Sequence, residues 1–272
     1  MRRFFVGCIV VIFAMTFGLA IVVPVNAEES NESPVAFRIA PAPVGYPVLE
    51  AGTRYVNTGA TGTVVSVESM GTKFTMYGGT IFGSFKQDLS DTASVSVSLA
   101  ASLLAGNKYD LVTAQIPLGL QALYQPFYRP WGSLFLFGGF GGDVAMMSMT
   151  VTIPQVTPSF TVNDDTTVST TVTTGTISAG SQLNVPTGPF ILSVFGVYHY
   201  TSGSYDTTQT SSMSYDYPSY SGTIDGRSAI AFGCDVLYVP WNVALSSQVQ
   251  NTEEYTLATV GLKWLVSRIG GR

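Results

Sequence analysis

The sequence has little of what enzymes and metal sites are built from. Its 272 residues include one histidine, His199, and two cysteines, Cys8 and Cys234. Cys8 lies in an apolar N-terminal stretch that we predict to be a cleaved leader, so Cys234 is left alone and an intrachain disulfide is excluded. One histidine and one cysteine cannot build a transition-metal site without carboxylates. We therefore expect no cofactor, no metal site and no enzymatic activity.

Charge is also scarce. Only 11% of the residues are charged, the net charge is −5 and the mean hydropathy is +0.32. A net negative chain is a poor partner for nucleic acid, so we expect no nucleic-acid binding. After the leader, no apolar stretch reaches the ~18 residues that a second membrane helix would need. The hydrophobicity must therefore reside in alternating strands.

The N-terminus has the pattern of an export signal. "MRRFFVGCIVVIFAMTFGLAIVVPVNA" begins with two arginines, continues with an apolar run and ends in a small-residue cleavage pattern. We predict a signal peptide at residues 1–27, with an uncleaved membrane helix as the alternative. Residues 28–60 are rich in proline and small residues, which is typical of an extended linker.

From residue 61 onward the sequence has the period of β-strands. In "TASVSVSLAASL" (92–103) the valines and leucines share one parity and the serines share the other, so one face is apolar and the other is small and polar. Turn signals separate further runs of this kind. The predicted strands are 62–70, 73–86, 92–104, 110–125, 132–152, 174–185, 190–203, 223–238, 243–249 and 253–267.

Two asymmetries favour a membrane barrel over a soluble sandwich. Short connections ("KQDLSD", "QPFYRPWGS", "NVPTGP", "VPWN") alternate with two long polar ones, at 155–175 and 202–222. The aromatics gather at the short-turn end, as rings do at a membrane interface. We predict a closed antiparallel transmembrane β-barrel over residues 61–267, with about ten strands (eight possible) and a tail at 268–272. The interface aromatics are Tyr124, Trp131, Tyr238, Trp241 and Trp264.

The polar parity of these strands predicts the residues that face the interior. They are mostly small or uncharged, with one acid and one base among them. Acyl chains would contact the opposite, apolar parity, so the lipid bilayer is the first expected partner. The predicted lumen residues are Ser94, Ser96, Ser98, Thr113, Gln115, Gln121, Asp235 and Lys263.

The last strand carries a short motif. In "TVGLKWLV" a polar residue is followed two positions later by glycine and then by two hydrophobic positions separated by one. This resembles the terminal-strand signal of Gram-negative outer-membrane β-barrel proteins. The resemblance implies location in the bacterial outer membrane and recognition of Thr259, Gly261, Trp264 and Val266 by the barrel-assembly machinery. Such proteins often stop at an aromatic residue, whereas this chain continues through "SRIGGR", and the resemblance identifies no subfamily.

The expected role is structural or porin-like: a barrel that presents polar extracellular loops and leaves a narrow path for small solutes. Asp235 and Lys263 would either bias what passes or pair with each other. One alternative is a secreted soluble β-sandwich that acts as an adhesin or binding module. Another is a barrel enzyme of lipase or protease type, built on His199 with the loop acids Asp164, Asp165 and Asp206. The sequence indicates no surface ligand.

Overall fold

The computed structural model describes residues 49–69, 72–107, 109–156, 161–213, 217–252 and 255–269. The predicted leader at 1–27 lies outside these residues. Ten strands account for most of the described chain, which confirms the larger of the two predicted strand numbers. They are β1 Arg54–Ser69, β2 Thr72–Asp88, β3 Ala93–Gly106, β4 Val112–Arg129, β5 Gly132–Val156, β6 Thr161–Thr187, β7 Phe190–Ser211, β8 Tyr220–Tyr238, β9 Val243–Asn251 and β10 Tyr255–Ile269.

Each strand pairs antiparallel with its neighbours in sequence, and β1 pairs with β10, so the sheet closes into a barrel as predicted. A line drawn across the paired residues from Asp88 on β2 passes once round the barrel and returns to β2 at Met76, twelve residues away. Twelve residues at about 3.3 Å, set against ten strand spacings of about 4.8 Å, give a strand tilt of about 40°. This tilt is that of outer-membrane barrels.

The apolar parity of the strands faces outward, in the stretch 92–103 and in β8 alike. Val97 and Leu99 on β3 are 43% and 53% exposed, and Ile230 and Phe232 on β8 are 48% and 61% exposed. On the other parity, Ser94 is 1% exposed and faces the lumen. In hydrocarbon the backbone must satisfy its hydrogen bonds internally, and a closed barrel does this. A closed barrel with an outward apolar band is the architecture of a transmembrane β-barrel protein.

Within the described residues no helix is both long enough and apolar enough to cross a membrane.

The barrel is longer at both ends of the chain than the sequence predicts. β1 begins at Arg54, so residues 54–60 belong to the barrel rather than to the linker predicted at 28–60. β10 runs to Ile269, into the predicted tail. Small residues such as Gly59 and Ala60 made the start of β1 resemble the linker in composition, so this part of the strand was not predicted. The ring of Phe82 lies where a Cβ on Gly59 would be, so this position requires glycine.

Most of the described part of the two predicted long loops is strand, so the prediction of long extracellular loops was wrong there. β6 covers most of the threonine-rich stretch and pairs with β5 from Thr161 to Asn184, while the serine- and tyrosine-rich stretch supplies the ends of β7 and β8. Threonine and valine favour strands. Outside the membrane such a strand needs no apolar face, so its polarity was mistaken for that of a loop.

These extensions form a free-standing sheet, which we call the wall: residues 149–156, 161–176, 202–211 and 220–229. Below the wall, β4 pairs with β5 as far as Ser148, and β9 pairs with β8 as far as Ile230. The outward apolar residues stop at the base of the wall, at Met146 on β5, Ile177 on β6 and Tyr200 on β7. On β7, about ten residues separate Phe190 at the short-turn end from Tyr200, which at this tilt corresponds to the roughly 25 Å of a membrane's apolar band.

Pro117 lies in the middle of β4 and lacks a donor for the ladder. The β3–β4 register pairs Leu99 with Leu118 and resumes at Ser102 with Gln115. The ladder is therefore interrupted where the proline would have to donate, while on the other side Pro117 stays in register with Asp143. A local break makes the proline compatible with the strand.

Candidate functional site: the lumen and the wall

The predicted interface aromatics all lie at the short-turn end, and Trp131, Tyr238 and Trp241 make ring contacts there. Trp131 in the β4–β5 turn is 64% exposed, and Trp241 in the 3₁₀ turn Val239–Trp241 is 75% exposed. The Tyr238 and Trp241 ring centroids are 5.2 Å apart, and those of Phe127 and Trp131 are 5.3 Å apart. Trp264 and Tyr124 are exposed on the same outer surface. Exposed rings at this height suit a headgroup zone.

The predicted lumen residues all have the inward parity. Five of them are buried and three are half-buried, and the half-buried ones border the accessible interior near β3 and β4. The buried ones are Ser94, Thr113, Gln115, Asp235 and Lys263, and the half-buried ones are Ser96, Ser98 and Gln121. Gln115 donates to the carboxylate of Asp143, to which Thr174 also donates. Side-chain hydrogen bonds thus join β4, β5 and β6 on the inner surface of the barrel.

Oppositely charged side chains pair inside the barrel. Lys263 Nζ on β10 donates to both carboxylate oxygens of Asp235 on β8, at 3.0 and 2.8 Å, and both side chains are 4% exposed. Lys86 Nζ lies 3.1 Å from Asp88 Oδ1 and 4.8 Å from the ring centroid of Tyr55. Asp235 and Lys263 therefore neutralise each other by pairing, which is one of the two roles that the sequence left open.

An apolar layer crosses the interior close to the short-turn end. Its strand members come from β4, β5, β7 and β8, so it fills one side of the lumen. The layer consists of Leu123, Phe135, Phe137, Phe195, Val197 and Ala231, together with Leu49. Lys263 Nζ lies 6.0 Å from the Phe195 ring centroid, so the ion pair with Asp235 borders the layer on its polar side.

Leu49 belongs to a segment that crosses the short-turn mouth before β1 begins. We call residues 49–53 the strap. The Leu49 side chain is 2% exposed within the apolar layer. The Glu50 N–H donates to Asp88 Oδ2 at 3.0 Å, and the Gly52 N–H donates to the backbone oxygen of Asp88 at 2.9 Å. Gly52 has a φ of +81°, which glycine adopts without strain, so the strap can turn into β1 here.

At the opposite end, the wall carries a buried carboxylate near its tip. Asp164 is 0% exposed and accepts hydrogen bonds from Ser211, Ser212, Tyr217 and Thr166, at 2.8, 2.9, 3.0 and 3.2 Å. Burial raises the pKa of this carboxyl, but the four hydroxyl donors outweigh burial and hold the pKa below its ordinary value. Asp164 therefore joins β6 to the β7–β8 connection.

The groups considered for a barrel enzyme do not meet. His199 is 6% exposed and pairs in register with Ser178, fourteen residues along β6 from Asp164. At about 3.3 Å per residue this is a separation of roughly 45 Å along the strand. Asp206 has the opposite parity to His199 on β7 and faces outward. The His199 side chain points into the barrel.

The four residues of the terminal-strand motif lie on β10 next to β1. Thr259 and Gly261 face inward, whereas Trp264 and Val266 are 39% and 63% exposed on the outer surface. A Cβ on Gly261 would collide with the backbone oxygen of Ala60 and with Thr61. Glycine is therefore needed here for the closing pair of strands, independently of any recognition of the motif.

Sequence reasoning missed the apolar layer and the strap. Two signals were present: the run "SLFLFGGFGG" is apolar on both parities, and Leu123 interrupts the polar parity of β4. Both indicate apolar side chains inside the barrel. No local pattern distinguishes Leu49 from the residues of the linker.

No protein-family model and no curated protein matches the sequence. Among solved structures, the outer-membrane protease OmpT from Escherichia coli is similar, with a TM-score of 0.53, 12% identity, and coverage of 78% of this chain and 96% of that one. The translocator domain of the autotransporter NalP from Neisseria meningitidis has a TM-score of 0.49 and 14% identity, with 78% and 88% coverage. An outer-membrane channel from Pseudomonas putida has a TM-score of 0.42 and 10% identity, with 83% and 100% coverage. The likeness to OmpT is one of fold: both are outer-membrane β-barrels.

Proposed function

We propose that the protein is a closed outer-membrane scaffold that presents the wall at the cell surface. The apolar layer carries this proposal. Phe135, Phe195 and Leu49 are at most 3% exposed, so their side chains exclude water from the β4, β5, β7 and β8 side of the lumen, and the strap that carries Leu49 lies across the short-turn mouth beside it. A barrel of eight to ten strands encloses little space beyond what its side chains fill. An apolar constriction also opposes ion passage, because a dewetted passage does not conduct.

The surface chemistry of the wall supports the same role. Its outward residues are hydroxyl-bearing, for example Thr171 and Thr173 on β6 and Ser204 on β7. Such a sheet is stable in water, but its outward hydroxyl groups would lack hydrogen-bond partners in the hydrocarbon of a bilayer. The short turns with their aromatic rings would then face the periplasm and the wall the outside, which is the usual orientation of outer-membrane barrels.

Labelling of intact cells tests this orientation. We choose two positions six residues apart on the same face of β6, Thr171 above the apolar band and Ile177 within it, each changed to cysteine in a Cys234→Ser background. A membrane-impermeant maleimide should label T171C on intact cells and leave I177C unlabelled. Equal labelling of both variants, or labelling of T171C only after lysis, would contradict the proposed exposure of the wall.

Planar-bilayer recording of the wild-type mature chain tests closure. We expect no stepwise conductance, because the apolar layer and the strap together close the short-turn end of the lumen. Asp235→Asn and Lys263→Gln should then leave the recording unchanged, since the pair borders a passage that does not conduct. A steady wild-type conductance altered by these two substitutions would instead support a porin-like role.

A further inference from the structure

One member of the apolar layer is not on a strand. Leu49 enters the interior from the strap, whereas the other members are fixed in the sheet by their ladders. Inward side chains on the facing strands are small and polar, such as Ser84 on β2 and Ser96 on β3, and both are half-buried. Leu49 therefore fills the gap between the apolar side of the lumen and an accessible polar side.

The strap is attached in a way that permits it to leave. Its first three N–H groups donate to side-chain oxygens: Leu49 to Gln125 Oε1 at 3.4 Å, Glu50 to Asp88 Oδ2 at 3.0 Å, and Ala51 to Asp91 Oδ1 at 3.1 Å. Sheet-like backbone bonds join Asp88 to Gly52 and Thr53. Segments outside the ladder open at lower free energy than the strands that they cover.

The charged groups inside the barrel and beside the strap include more carboxylates than cations. The lumen carboxylates of Asp88 and Asp235 are paired with Lys86 and Lys263, and Asp143 adds a third carboxylate. At the mouth, the half-buried Glu50 and the exposed Asp91 add negative charge beside the strap. A passage lined by excess carboxylate favours cations.

We propose that the strap is a displaceable plug and that its displacement opens the lumen to small inorganic cations. This inference rests on the closed resting state of the proposed function. The displacement removes Leu49 from the layer and exposes the serine-lined side of the interior to the short-turn mouth. The strands themselves do not move.

Planar-bilayer recording of the full mature chain in a potassium chloride gradient tests the plug. Leu49→Asp places a charge in the apolar layer and should produce stepwise conductance with a reversal potential on the potassium side. The matched control is Leu89→Asp, since Leu89 is 57% exposed in the turn at the same mouth. This control should stay silent, as should the wild type.

Each outcome bears on one claim. A folded L49D that is silent, or an L89D that conducts equally, overturns the plug, and a reversal potential on the chloride side overturns the cation preference. Conductance of the wild type equal to that of L49D contradicts the proposed closed scaffold instead. Heat-modifiable gel mobility reports whether each variant is folded.

Thiol labelling supplies a second test should L49D fail to fold. Leu49→Cys and Leu89→Cys, both in the Cys234→Ser background, are treated with a charged maleimide in vesicles. We expect L49C to react at least about tenfold more slowly than L89C, because it reacts only when the strap opens. Conductance should appear as L49C reacts, and equal rates or a silent labelled channel would overturn the plug.

Discussion

Removal of one partner from the ion pair between Asp235 and Lys263 should destabilise the barrel by several kcal/mol. Lys263 Nζ makes two charge-assisted bonds, at 3.0 and 2.8 Å, to a carboxylate that is almost wholly buried. At about 1.5 kcal/mol each, the two bonds amount to about 3 kcal/mol. An uncompensated buried charge gives a similar range, about 3–5 kcal/mol. Lys263→Met should therefore lower the free energy of unfolding by about 3 kcal/mol.

Urea unfolding in lipid vesicles measures this change. Fluorescence of the three tryptophans is a suitable signal, because all three lie at the short-turn end and Trp264 is next to Lys263 in sequence. The control is Arg129→Met, an exposed cation at the same end, which should change stability by no more than about 0.5 kcal/mol. The double variant Asp235→Leu with Lys263→Met should lose less than either single variant, because it leaves no unpaired charge. Additive losses in the double variant, or a K263M loss no larger than that of the control, would refute the reasoning.

Three further substitutions test the outer apolar face, the pairing of β10 with β1, and the wall. Leu118→Arg, in the outward apolar band, should cost about 2–4 kcal/mol in vesicle unfolding, whereas Thr171→Arg above the band should cost almost nothing; equal costs would contradict the assigned membrane position. Gly261→Leu should slow or prevent refolding through its collision with β1, whereas Gly175→Leu, which has open space around it, should refold normally by gel mobility. Because the pKa of Asp164 is lowered by folding, its stabilisation is complete above the ordinary aspartate pKa of about 3.9 and is lost as the pH falls through the lower folded value. Protection from hydrogen exchange near the wall tip, measured relative to the intrinsic exchange rate at each pH, should thus fall in acid for the wild type, and Asp164→Asn should abolish that dependence.

Period-two patterning was sufficient to predict the barrel, because lipid outside and small polar residues inside give each strand two unlike faces. The same rule fails where both environments are alike. Above the membrane both faces of β6 are in water, so its Thr-rich sequence does not alternate between apolar and polar residues. For that reason it was predicted as a loop. At the apolar layer, one face of β5 contacts lipid and the other contacts apolar side chains. Phe135 and Phe137 on the inner face therefore do not alternate with polar residues. The position of Leu49 depends on a contact across 76 residues of sequence, with Gln125, which no local pattern encodes.

The wall ends laterally in β5 and β8, and much of the backbone along these two flanks has no strand partner among the described residues. Such flanks recruit further strands, and crowded molecules in a membrane would fuse into continuous sheets. Pro154 on the β5 flank removes one donor, and the register shift opposite Ser202 places Asp225 and Gly226 in a bulge on the β8 flank. Both irregularities make the flanks poor templates for the addition of a further strand, whereas the broad hydroxyl-bearing faces of the wall stay accessible.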